Sequence, residues 1–268
     1  MQSRTWMCLL IAGMFLPNIL IGAGEAARGK DQLSPTVTGP EEAIATITQA
    51  GGVVRFAGDK AEGTVAEVRL DRLKYNDRPV ISRCFVQLGH FTRIQRLVLH
   101  NWDIRDEDLQ YLARLRSLQS LTLQVMDVTG SGVKHLRALT DLRVLRLQHC
   151  SKIDAEGYRH FRALTRLEIL DLRHSPITDE GFKHFETLTG LRELCVTGTK
   201  ITDKGMRSVS RFRDLERVDM VFTEIGNETL RRLQELPKLR EVWLEDSNVT
   251  EKGISAFQKA RPDVKIVR

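Results

Sequence analysis

The side chains of this 268-residue chain that could do chemistry recur in columns, at intervals of 24 or 25 residues. His149 and His174 form one such pair, and Asp171 lies just before the second histidine. Two imidazoles and a carboxylate could begin a metal site, but a structural zinc site takes four ligands and a catalytic one takes three. No further ligand is placed beside them. His135, His160 and His184 make a second column, on successive helical segments whose axes stand ~10 Å apart, too far to share an ion. Cys195 could serve as a nucleophile only with a base beside it and a group orienting that base, and no His–Asp arrangement is specified around it. The sequence holds no Ser nucleophile elbow, phosphate loop or spaced acid pair. It therefore predicts no catalytic residue, no metal and no cofactor, and leaves binding as the chemistry to look for.

The columns exist because the chain repeats. Leu167–Gly190, LEILDLRHSPITDEGFKHFETLTG, lands on its neighbours when shifted by one period, and self-similarity of this kind governs the architecture before any local reading. Strand frames start at Ile94, Leu118, Leu142, Leu167, Leu191, Leu215 and Leu239. Within a unit the period changes: Leu167, Leu170 and Leu172 read as a strand, whereas Phe182, Phe185 and Leu188 share one face of a helix. The matching helical triads are Leu109/Leu112/Leu115, Val133/Leu136/Leu139, Tyr158/Phe161/Leu164, Met206/Val209/Phe212 and Leu230/Leu233/Leu236. Thr178-Asp179-Glu180 offers oxygen acceptors and negative charge to a helix start, with Thr129, Asp154, Thr202-Asp203 and Thr250-Glu251 in matching places. Gly132, Gly157, Gly181, Gly205 and Gly253 form a further column, which predicts close approach between neighbouring coils.

No unit can bury both its strand and its helix face alone, so the units must stack around one core. Strands stack ~4.8 Å apart and helices ~10 Å apart, so the stack should bend with the strands inside. L-x-x-L-x-L followed by I-T-D-x-G, recurring in register, resembles the leucine-rich repeat family over residues 94–268. The resemblance implies an α/β fold, a right-handed curved solenoid with a parallel concave sheet, convex helices and a small N-terminal cap. Many such repeats carry an asparagine that ladders the turn. Here Trp102, Met126, Cys150, Ser175, Thr199, Thr223 and Ser247 stand instead, which is similar to the Thr/Cys-type repeats of bacterial exported proteins. The cysteine-containing repeats of F-box substrate receptors are also similar, but no F-box-like helical segment precedes the array.

Export is the expectation from the N-terminus. Arg4, the apolar run Trp6–Ile21 and the small residues around Ala23 and Ala26 read as a signal peptide over 1–26. The run is shorter than the ~20 apolar residues of a spanning helix, so no membrane span is expected after cleavage. Residues 27–40 then read as a linker, 41–93 as an N-terminal cap with a degenerate first repeat, and 94–268 as repeats plus a C-terminal cap. The cysteines left after cleavage, Cys84, Cys150 and Cys195, are too few and too scattered for a disulfide framework.

Two faces remain for recognition. On the strands, one concave column reads Arg69, Val98, Thr122, Arg146, Asp171, Cys195, Asp219, Trp243, and the next reads Asp71, His100, Gln124, Gln148, Arg173, Thr197, Val221, Glu245. The middle is basic, with Arg146, Arg173, His149 and His174, and the far end is acidic and aromatic, with Asp219, Phe222, Glu241, Trp243 and Glu245. Aromatic side chains rimmed by charge suit a protein contact. On the helices, Lys134, Arg159, Lys183, Arg207 and Arg231 form a basic ridge that could follow an anionic envelope polymer. The net charge of +6 is not by itself a polyanion binder's signature, and no specific nucleic-acid partner is expected. The functional expectation is a non-catalytic exported protein, in the periplasm or cell envelope or secreted, that holds a protein or polymer partner on its concave sheet. An envelope-associated structural protein retained by the ridge is the alternative, and an adaptor of the F-box receptor type a distant third.

Overall fold

The computed structural model describes residues 39–58, 64–71, 78–100 and 103–268. The leader, the linker up to residue 38 and Trp102 lie outside the described residues. From Arg96 onward strands and helical segments alternate as the repeat frame predicts. Helix α1 (Pro40–Gln49) and strand β1 (Val53–Ala57) precede β2 (Thr64–Leu70), and α2 (Arg78–Leu88) leads into the regular units. The strands of those units are β3 (Arg96–His100), β4 (Ser120–Gln124), β5 (Val144–Gln148), β6 (Ile169–Asp171), β7 (Glu193–Cys195), β8 (Arg217–Asp219) and β9 (Glu241–Trp243), and β10 (Lys265–Val267) closes the series. All ten join one open sheet in chain order, parallel throughout except that β1 runs antiparallel to β2.

The register matches the columns read from the sequence. Arg69, Val98, Thr122, Arg146, Asp171, Cys195, Asp219 and Trp243 are successive cross-strand partners. From β6 onward the strands shorten to three residues, but the bonding between neighbours continues beyond them: Leu172 N–H donates to Cys195 O at 2.9 Å and His174 N–H to Thr197 O at 2.9 Å. Leucines and valines of the frame alternate inward and are buried from Leu97 to Leu244, as are the helical triads that face them. Burying these chains contributes ~1.5–3 kcal/mol each, and because every unit shares its core with the next, the stack is one cooperative body. An aromatic cluster fills its middle, where Tyr158, Phe161, Phe182 and Phe185 lie with ring centroids 5.9 to 6.3 Å apart.

The helical side differs from the α-helices expected of it. Asp108–Arg114, Lys134–Ala138, Gly157–Ala163, Lys183–Phe185 and Gly205–Arg211 are 3₁₀ helices. The α-turns before two of them, α3 (Gly130–Val133) and α4 (Asp179–Phe182), are single turns, and only α5 (Asn227–Leu233) and α6 (Glu251–Ala260) run further. Each apolar triad is spaced by three, and in a 3₁₀ helix residues i and i+3 eclipse one another. The spacing therefore puts all three side chains of a triad on the core line without a longer helix.

The helix starts are also tied differently from the expectation. Thr129 and Thr250 do cap their own helices, accepting from Ser131 N–H and Gly253 N–H, and Asp154 accepts from Gly157 N–H. Thr178 makes no side-chain cap, and Asp179 reaches forward into the next unit, accepting from Thr202 N–H and Thr202 Oγ1 at 2.8 Å each. Asp106 clasps Thr129, Asp203 clasps Gly226 and Thr229, and Asn227 clasps Thr250 in the same way. This seam accounts for most of the glycine column. A Cβ on Gly205 would stand 2.5 Å from Asp179 Oδ1, and one on Gly132 or Gly253 would meet the Asp106 or Asn227 side chain.

Both ends of the core are covered. Ala43 and Ile47 of α1 are buried against the first repeat, and Arg78 from α2 pairs with buried Asp108 at 2.5 Å. At the other end Arg261 donates to the carbonyls of Gln234, Leu236 and Leu239 at 2.8 to 3.2 Å, and to Asp263. One guanidinium thus satisfies three carbonyls of the preceding unit.

Candidate functional site

Each unit from β4 to β9 turns off the sheet through one residue in the left-handed region: Val125, His149, His174, Gly198, Phe222 and Asp246, with φ between 51° and 65°. That conformation brings Cβ against the following carbonyl and costs ~1–2 kcal/mol for a residue other than glycine. Five of the six are not glycine, and one is β-branched. This row is invisible in the residue types, because its members share a backbone shape and no chemistry. His149 and His174 stack at the strand ends, with ring centroids 4.7 Å apart and planes 22° apart. Burial holds the His149 imidazole below its usual pKa, and the charges of His174 and Arg173 add to the effect. Gly198 follows, and the His174 ring occupies the space a side chain there would need.

Beside this row lies a shallow depression of about 180 Å³ on the sheet face. It brings together Arg146, Asp171, Arg173, Cys195, Asp219 and Trp243, all anticipated for this face, and adds Glu193 and Arg217. Its carboxylates are largely occupied. Asp171 is only 4% exposed; it accepts from Gln148 Nε2 at 2.7 Å, from Arg173 Nε at 3.0 Å and from Arg173 N–H at 3.1 Å. Asp219 accepts from Thr197 Oγ1 at 2.5 Å and from Val221 N–H at 3.2 Å. Both aspartates therefore staple one strand to the one before it. Gln148 and Thr197, which do the stapling, could have been found from the columns, since each stands diagonally before its aspartate. Burial, helped by Asp219, pushes the Cys195 thiol up to about 11, so it carries little thiolate at neutral pH.

At the far corner the apolar surface is open. Phe222 is 56% and Trp243 40% exposed, and Val53 is the one other large apolar side chain so exposed among the described residues. Glu241, two residues before Trp243 on β9, is paired with Lys265 at 2.7 Å and Arg217 at 3.7 Å; the Lys265 hydrogen bond is the main reason its carboxyl stays below the usual range. Glu245 and Asp246 are exposed and engage no other side chain among the described residues. His174, Phe222 and Glu245 thus line the strand-end edge, while Glu241 sits at the strand start.

The opposite face is quieter. Arg159, Lys183 and Arg231 of the basic ridge each pair with a glutamate three residues earlier, Glu156, Glu180 and Glu228, while Lys134 and Arg207 make no such pair. Among the described residues no cluster of three or more His, Cys, Asp or Glu could hold a metal ion, and no helix is long and apolar enough to cross a membrane.

The family model named Leucine Rich repeat matches residues 163–183, the end of one unit and most of the next. The chain is built of leucine-rich repeats. Among solved structures, an internalin (inlF) from Listeria monocytogenes is 17% identical with a TM-score of 0.52, over 74% of this chain and 65% of that one. Internalin C2 (inlC2) from the same organism is 18% identical with a TM-score of 0.49, over 68% of this chain and 84% of that one. This chain therefore spans less than two thirds of the inlF chain, and at such identity the likeness is one of leucine-rich repeat fold. No curated protein matches the chain.

Proposed function

We infer that this leucine-rich repeat protein is a non-catalytic, exported protein that holds a protein partner on its sheet face. One observation carries the reading: Phe222 and Trp243, from neighbouring units, are both exposed on a face whose other side chains are mostly polar. Phe222 does so from a left-handed backbone, and such a conformation persists where the surroundings enforce it and clusters at functional sites. Large aromatic side chains near charged neighbours are the anchors that dominate protein interfaces. Export rests on the leader read at residues 1–26. Among the described residues the sheet offers no paired acid and base and no activated nucleophile, which favours binding over catalysis.

The test is cross-linking capture from the native cell envelope with the intact chain and with a Phe222→Ala, Trp243→Ala double variant. The double variant should lose the captured protein and keep its unfolding midpoint, since exposed substitutions usually change stability by less than ~0.5 kcal/mol. Unchanged capture would remove this corner from the interface.

A further inference from the structure

The depression on the sheet face has one charged lining residue that stands apart. Asp171 is held by Gln148 and Arg173. Glu193 is paired with Arg217 at 3.1 Å, and Arg217 reaches Glu241 as well. Asp219 takes its hydrogen bonds from Thr197 and Val221 on Oδ1 and from the Cys195 thiol on Oδ2. Arg146 is half-buried, yet among the described residues it has neither an ion pair nor a hydrogen-bond partner for its guanidinium. Its cross-strand neighbours are Thr122 and Asp171. Asp171 does not turn toward it, because Gln148 holds Oδ2 and Arg173 holds Oδ1.

We propose that Arg146 is the anchor for a carboxylate of the protein partner, an Asp or Glu side chain that enters the depression while an apolar side chain packs on Trp243 and Phe222. The proposal rests on the sheet-face reading above and specifies the chemistry of what binds there. A guanidinium presents its N–H donors in a fork that matches a carboxylate in two parallel bonds, and such charge-assisted pairs are about twice as strong as neutral ones. The neighbouring network is already satisfied, so the incoming acid displaces no internal ion pair. Arg173, whose Nε is used by Asp171, keeps its terminal N–H groups for the same guest.

The geometry also sets the spacing. Arg146 lies on β5 and Trp243 on β9, four strand intervals apart, or ~19 Å. An extended segment lying across the strands rises ~3.3 Å per residue. The acid and the apolar anchor should therefore stand roughly six residues apart in the bound segment.

A random peptide display library selected on the folded chain tests this directly, with individual selected peptides then measured by calorimetry. The expected result is enrichment of an Asp or Glu at that distance from an aromatic or aliphatic residue. Arg146→Gln should weaken those peptides tenfold or more, the factor expected for a hydrogen bond to a charged group, and Arg146→Lys should weaken them less. Replacing the peptide's Glu by Gln should cost the same factor on the native chain and nothing further on the Arg146→Gln variant, because the two changes remove one interaction. Circular dichroism of both Arg146 variants checks that they are folded. Peptides that depend on Trp243 but show no acid and ignore Arg146 overturn the carboxylate anchor and leave the sheet-face reading standing. Peptides indifferent to Arg146, Phe222 and Trp243 alike, or no selected peptides at all, overturn both. Selection of phosphopeptides over carboxylate peptides of the same sequence would also overturn it, by assigning Arg146 to a phosphate.

Discussion

The row that ends the strands recurs in every unit from β4 to β9, and the seam joins helix starts at four places, Asp106, Asp179, Asp203 and Asn227; the two are uniform in opposite ways. Along the seam the chemistry repeats: Asp106, Asp179, Asp203 and Asn227 each reach forward to the next unit's backbone and hydroxyl. Along the row the backbone repeats, at φ from 51° to 65°, while the side chains change from valine to histidine, glycine, phenylalanine and aspartate. Where a residue's task is to satisfy a neighbour's N–H, few side chains serve. Where the fold demands only a backbone shape, the side chain is left free for something outside the molecule.

Breaking the seam should have the larger effect. Asp179→Ala leaves Thr202 N–H and hydroxyl without their acceptor, and an unsatisfied group of this kind costs ~1–3 kcal/mol. Gly205→Ala should cost a comparable ~1–3 kcal/mol by overpacking, since its methyl would stand 2.5 Å from the same carboxylate. The two losses should not add, because the alanine at 179 vacates the space that the methyl at 205 needs. Urea unfolding of the singles and the double measures this; full additivity would mean that the carboxylate is not what the glycine accommodates.

Changes in the row should do less to the fold. Phe222→Gly removes the left-handed strain and little buried surface, so unfolding free energy should stay level or rise by up to ~1 kcal/mol. Partner capture should be lost in the same variant. A clear fall in stability would show that Phe222 packs inward and would erase the contrast between row and seam.

The smallest effect is a change of slope with pH. Burial first, then His174 and Arg173, lower the His149 pKa from 6.5, and burial does the same to His135, His160 and His184. The unfolded chain takes up these protons near pH 6.5 and the folded chain resists them, so stability is level above that range and declines as pH falls through it. The unfolding midpoint should therefore drop between about pH 7.5 and about pH 5.5, across the free-histidine pKa. His149→Asn, which tolerates the left-handed backbone, should flatten that drop slightly. An identical slope would mean that the stack does not resist protonation.

Much of this was legible beforehand, for physical reasons. Period-two burial on a parallel sheet leaves one register, so the column from Arg69 to Trp243 could be read from the frame alone. The 3₁₀ helices were not read beforehand, because triads spaced by three suit one face of a short α-helix almost as well. The consumption of Asp171 and Asp219 was not legible from one column, since it depends on Gln148 and Thr197 in the next. Nor was the role of Asp179, because a Thr-Asp pair before a helix looks like a cap whether the acid turns back to its own helix or forward to another.

Gly198 separates the stacked histidines from Phe222 and Asp246, and His174 leans into the space it leaves. Its φ of 65° is close to that of its non-glycine counterparts, so the backbone there would accept a side chain at a cost the other units already bear. The obstacle is the imidazole, whose Nδ1 would lie 2.5 Å from the new Cβ. In evolutionary terms position 198 is a hinge of specificity: a single codon change would evict His174, unstack it from His149 and join two separate patches of the face into one, while every residue of the core stayed as it is.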